Sequence, residues 1–136
     1  QLQGEEKFRY FLRPVADELV RAVPLGKPTV YFVRDTLEQE AYEAEAVGRL
    51  NAGGRPALMD TVWITEAIRD PGVALAHELA HVLMDRGQHV DLPRNLMRAD
   101  TAPENTELTD AQCEQIVTIG MRHRLLQPLR SASVKR

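Results

Sequence analysis

His77-Glu78-Leu79-Ala80-His81, with His89 eight residues further on, decides how this chain is read. Asp70-Pro71 stands ahead of it as a helix start: Asp as N-cap, then Pro at the first helical position, where its missing N–H costs nothing. The apolar residues Val73, Ala74, Leu75, Ala76, Leu79, Ala80, Val82 and Leu83 carry the helix forward as a mostly buried one. Gly87 is the expected stop, since helices often close on a left-handed glycine. On such a helix residues i and i+4 share a face, so His77 and His81 point the same way. Two imidazoles so placed can share one metal ion. Glu78 sits one step round the helix, where its carboxylate can reach a water on that ion.

This is the H-E-x-x-H arrangement of zinc hydrolases. The bland alternative is a buried amphipathic helix with two hydrogen-bonded core histidines, but core histidines rarely come paired at i, i+4 with Glu between them. A third ligand is still needed. His89 reaches the metal if the chain reverses at Gly87, after which two extended residues cover about 7 Å. Imidazole suits zinc without neutralising it; Asp91 and Asp85 are the substitute ligands, and an exposed loop histidine is the alternative for His89. His123 has no partner in the sequence and reads as a surface histidine. Cys113 reads as a small buried residue, with no basic cluster beside it to lower its pKa.

The bulk composition excludes other classes. The 136 residues, 43% hydrophobic and 27% charged, suit one globular domain, residues 1–136, with a real core. A net charge of −3 and the absence of basic runs interleaved with aromatics give no nucleic-acid signature. No apolar stretch is long enough to span a bilayer and no signal peptide is present. One cysteine excludes an internal disulfide. Opening on Gln1 rather than Met, the chain reads as an excised or processed piece of something longer, which leaves its compartment open, export included.

Around the motif, residues 5 to 23 show one helical face, interrupted by Pro14, so a kink or a late start is expected there. Thr29-Val30-Tyr31-Phe32-Val33 and Thr61-Val62-Trp63-Ile64-Thr65 are β-branched and aromatic strands. Residues 36 to 50 fit helix and strand equally, and their acidic run Glu38, Glu40, Glu43, Glu45 reads as a solvated face. Thr109 with Gln112 makes a capping box. The helix it opens uses Cys113, Ile116, Val117 and Gly120 as its inner side and runs towards Leu126, ended by Pro128. The expected class is therefore α+β: a small mixed sheet packed on an N-terminal helix and the H-E-x-x-H helix, then a C-terminal helix.

The order of parts resembles the metzincin clan of zinc peptidases over roughly residues 60 to 120: strand, H-E-x-x-H helix, glycine turn with a third histidine, a Met-containing turn, and a helix opened by Leu108-Thr109-Asp110. The usual pattern is H-E-x-x-H-x-x-G-x-x-H. Here Met84 holds the expected glycine position and Gly87 the expected third-ligand position, so the spacing is a variant. The resemblance implies a Zn2+ site of His77, His81 and His89, with Met97 as a structural Met-turn beneath it. It also implies a peptide or protein substrate lying along Thr61 to Thr65. The expected activity is peptide-bond hydrolysis by a zinc-activated water with Glu78 as general base. The alternative is a zinc-binding regulatory or interaction domain that keeps the fold without general proteolysis.

Overall fold

The computed structural model describes residues 14–22, 26–34, 44–49, 52 and 55–130. At its centre is β3 (Thr61–Thr65), five consecutive buried residues. β1 (Thr29–Val33) pairs with it in parallel and β2 (Ala44–Val47) antiparallel, giving a mixed three-stranded sheet in the order β1-β3-β2. A strand buried on both faces needs a cover on each, and the alternation of β3 assigns them. Trp63 joins Tyr31, Val47, Leu58 and Ala52 against Ala16 of α1 (Pro14–Ala22). Tyr31 stacks on Trp63 with ring centroids 4.5 Å apart, a contact worth about 0.5–1.5 kcal/mol beyond its buried area. Val62 and Ile64 point the other way, with Ala46, into Val82, Leu75 and Leu79 of α2 (Pro71–Met84). A third helix, α3 (Asp110–Arg122), packs on α2. The class is α+β, as expected.

α2 starts where the sequence says, with Pro71 in its first turn and Asp70 at the cap position, although the Asp70 side chain makes no capping bond. Its end differs. Asp85, not Gly87, takes the left-handed conformation, at φ 49°. The Asp85 N–H donates to the Val82 carbonyl and the Arg86 N–H to the His81 carbonyl, the two bonds of a Schellman ending. Asp tolerates this conformation better than most residues, and its Oδ1 also accepts the Arg49 N–H at 2.9 Å. Gly87 lies past the turn.

α3 carries the expected capping box, with Thr109 and Gln112 exchanging side-chain-to-backbone bonds. Its inner face is rotated from the expected one. Cys113 is exposed and Val117 is 52% exposed, while Ile116, Ile119 and Gly120 turn inward. The reason is the close seating of Leu126, whose Cδ1 would lie 2.7 Å from a Cβ at position 120. The helix also ends six residues before Pro128, by a second Schellman pair through a left-handed Arg124 at φ 60°. At the N-terminus, α1 begins at Pro14, the late start; residues 5–13 lie outside the described ones. In the ambiguous stretch 36–50, residues 44–47 are strand and residues 35–43 lie outside the described ones.

Candidate metal centre

His77 and His81, 2% and 8% exposed, stand one turn apart on the inner face of α2, and the exposed His89 comes up from the segment beyond its end. Their Nε2 atoms form a triangle with sides of 3.0, 3.2 and 3.3 Å. The opposite nitrogens of the two buried rings are engaged. His77 Nδ1 lies 2.6 Å from the Leu96 carbonyl, and His81 Nδ1 2.6 Å from the Arg86 carbonyl. A carbonyl oxygen only accepts, so each Nδ1 carries its proton and donates it, and each neutral ring is left with a bare lone pair on Nε2. Burial holds both imidazoles below their ordinary pKa, His81 at about 4, with the neighbouring histidines adding to the effect.

Two acceptors facing each other at 3.0 Å do not make a hydrogen bond. They repel, and a cation bound by both relieves the repulsion. Nitrogen ligands at about 2.0–2.1 Å in a tetrahedral zinc site are about 3.3–3.4 Å apart, close to the sides of this triangle. The donated Nδ1–H to a backbone carbonyl is the usual outer support of a metal-binding histidine. The three histidines can hold a metal ion. Among the described residues no carboxylate joins the cluster.

The substitute ligands are occupied elsewhere. Asp91 pairs with Arg98 at 3.0 Å and its side chain is 95% exposed, while Asp85 receives the Arg49 N–H at the helix end. His89 is delivered by a chain that reverses at Asp85 and is then pinned one residue later, where the Val90 N–H donates to the Met97 carbonyl at 3.0 Å. Met97 itself is 1% exposed and packs with Ala80, Met84 and Leu96.

Glu78 is half-buried. Loss of solvent, then the charge of Glu45, push its carboxyl up to about 8. His123 departs from its reading as a surface residue: it closes α3, half-buried, with Nδ1 enclosed and without a hydrogen-bond partner. Cys113 is exposed on the outer face of α3 and plays no part in the centre. The expected substrate position along Thr61–Thr65 is overturned, because β3 is flanked by β1 on one edge and β2 on the other, leaving no open edge.

Nothing in the sequence singles out Asn95, and Gln112 reads there only as part of a helix cap. Their amides bond each other twice, Asn95 Nδ2 to Gln112 Oε1 at 2.8 Å and Gln112 Nε2 to Asn95 Oδ1 at 3.0 Å. The capping-box spacing marked Gln112, but no local signal pairs it with a residue seventeen positions earlier. Compared with protein-family models, curated proteins and solved structures, the chain matches none.

Proposed function

We propose that this chain is a zinc-dependent metallopeptidase in which His77, His81 and His89 hold the ion and Glu78 is the general base. The observation that carries the reading is the convergence of three Nε2 atoms on one point, two of them left with a bare lone pair because the proton is fixed on the far nitrogen. Three neutral donors leave a divalent cation its full charge and a fourth position open, the composition of a catalytic rather than a closed structural site. Bound there, zinc supplies a Lewis acid that polarises a carbonyl, brings the pKa of water down to ~7 and favours the ionised form of a nearby carboxylate.

The residues of the chain divide the remaining work. His77 and His81 are held in one tautomer by the Leu96 and Arg86 carbonyls, so they bind without rearranging. Glu78, adjacent to His77 on α2, takes the proton from the attacking water and passes it to the leaving amine. Peptide is chosen among hydrolysable bonds because the plan of strand, helix, late third histidine and buried methionine resembles the metzincins. The rival is a zinc-binding regulatory domain of the same plan.

The test is cleavage of an unstructured protein substrate by zinc-loaded protein. The wild type should cleave it, and Glu78→Gln should keep one zinc per chain and the fold while losing about 10²-fold or more in rate, the scale of a lost general base. Stoichiometric zinc without cleavage in the wild type would leave the regulatory domain as the reading. Metal-replete protein that holds no zinc would end both.

A further inference from the structure

We propose that Asn95 and Gln112 are positioning residues of the metal centre, a part-buried amide pair that orients the Leu96–Met97 peptide and through it aims His77 and His89. The inference rests on the three histidines holding zinc.

The chemistry leaves the pair one orientation. Asn95 is 3% exposed. Its Oδ1 accepts from the Met97 N–H at 2.9 Å as well as from Gln112 Nε2. The Gln112 Oε1 accepts from the Thr109 N–H at 2.8 Å as well as from Asn95 Nδ2. A backbone donor at each end therefore demands an oxygen there, and turning either amide over would set donor against donor at both contacts of its oxygen and acceptor against acceptor at the third. Each oxygen receives two donors, and the pair is locked to the first turn of α3.

The lock acts on the metal ligands through planar geometry. The Met97 N–H and the Leu96 C=O belong to one peptide unit, in which a trans bond holds them rigid and oppositely directed. Pointing that N–H at Asn95 Oδ1 points the carbonyl away from it, onto His77 Nδ1 at 2.6 Å. The Leu96 N–H, in the peptide just before, is separately tied to the Glu107 carbonyl at 2.7 Å, which anchors the chain leading into the unit. The next carbonyl, that of Met97, receives the Val90 N–H beside His89. One turn thus orients the ring of one ligand and seats the segment carrying another. Without the Asn95 oxygen the peptide loses the bond that fixes its tilt, and the acceptor that keeps the His77 Nε2 bare is no longer held in line.

Zinc affinity by chelator competition, with the cobalt(II) spectrum as a geometric readout, tests this on Asn95→Ala, Asn95→Asp, Gln112→Met and Thr109→Ala. Asn95→Ala should weaken zinc binding about 10- to 100-fold, the usual effect of losing an outer support, and distort the cobalt spectrum. Asn95→Asp, which keeps an oxygen for the Met97 N–H, should recover most of the affinity. Gln112→Met should fall between, and stands in for Asn95→Ala should that variant not fold. Thr109→Ala keeps the N–H that orients Gln112 and loses only the hydroxyl cap, so it should lower the melting temperature while moving zinc affinity far less than Asn95→Ala. In ¹⁵N spectra of the metal-free protein, His77 should carry its proton on Nδ1 in the wild type and lose that preference in Asn95→Ala. Wild-type affinity in Asn95→Ala and Gln112→Met, with zinc lost in His77→Ala, would overturn this inference and leave the metal centre standing. A wild type that binds no zinc would overturn both.

Discussion

At His81 the nitrogen turned away from the centre donates to the Arg86 carbonyl, the first carbonyl past the left-handed Asp85. The end of the helix thereby helps to hold the His81 ring in place. The two helical histidines are buried and His89 is exposed, so the three should not be equivalent. His77→Ala or His81→Ala should abolish zinc binding, whereas His89→Ala should weaken it severalfold to many-fold and Asp91→Ala should leave it unchanged. Competitive chelator titration of the variants ranks them, and Asp91→Ala weaker than His89→Ala would refute the ligand set. At this scale the sequence was legible where chemistry is written in spacing, as in His77, Glu78 and His81 on consecutive turns of one helix. It was silent on Asn95, whose partner is brought to it by the packing of α3.

Both long helices close on residues with a side chain in the left-handed region, Asp85 and Arg124. An L-residue there costs about 1–2 kcal/mol, of which glycine gives back about 0.5–1 kcal/mol in lost chain entropy. Arg124→Gly should therefore raise stability by up to about 1 kcal/mol, seen as a higher urea midpoint at unchanged slope. Asp85→Gly should gain less or lose, because it gives up the oxygen that accepts the Arg49 N–H. These endings were not legible, since glycine and proline are the marks sequence reading relies on and neither sits at either turn. The strands Thr29–Val33 and Thr61–Thr65 and the Thr109 capping box were legible because each is a local preference that packing reinforces. The inner face of α3 was not, as Leu126 fixes it from outside the helix.

For the molecule as a whole, the sheet lies between α1 and the α2–α3 pair, and Asp60 sits at the start of its central strand with one carboxylate oxygen unpartnered. Burial raises its pKa, although Arg49 at 3.7 Å opposes the shift. A carboxyl whose pKa is raised on folding binds its proton more tightly in the native state, so stability declines as pH rises from the unfolded pKa of about 3.9 through the native one. Asp60→Asn keeps a residue tolerant of φ 59° and removes that decline. It should be more stable than the wild type at pH 7 and gain nothing at pH 3, by melting temperature at each pH. Zinc should act globally too: at a thousandfold excess over Kd it contributes about 4 kcal/mol, so a chelator should lower the melting temperature of the loaded protein by on the order of 10–20 °C.

The uneven burial of the three rings also sets a time course. Two of the histidines belong to a helix sealed against the sheet, while the third rides on an exposed segment tied down beside it by the bond between Val90 and Met97. With zinc bound, exchange of the ion is expected to pass through His89, the one ring of the three that can leave without opening the helix. The geometry is that of a clasp with two jaws set in the helix and the third on the segment beyond it.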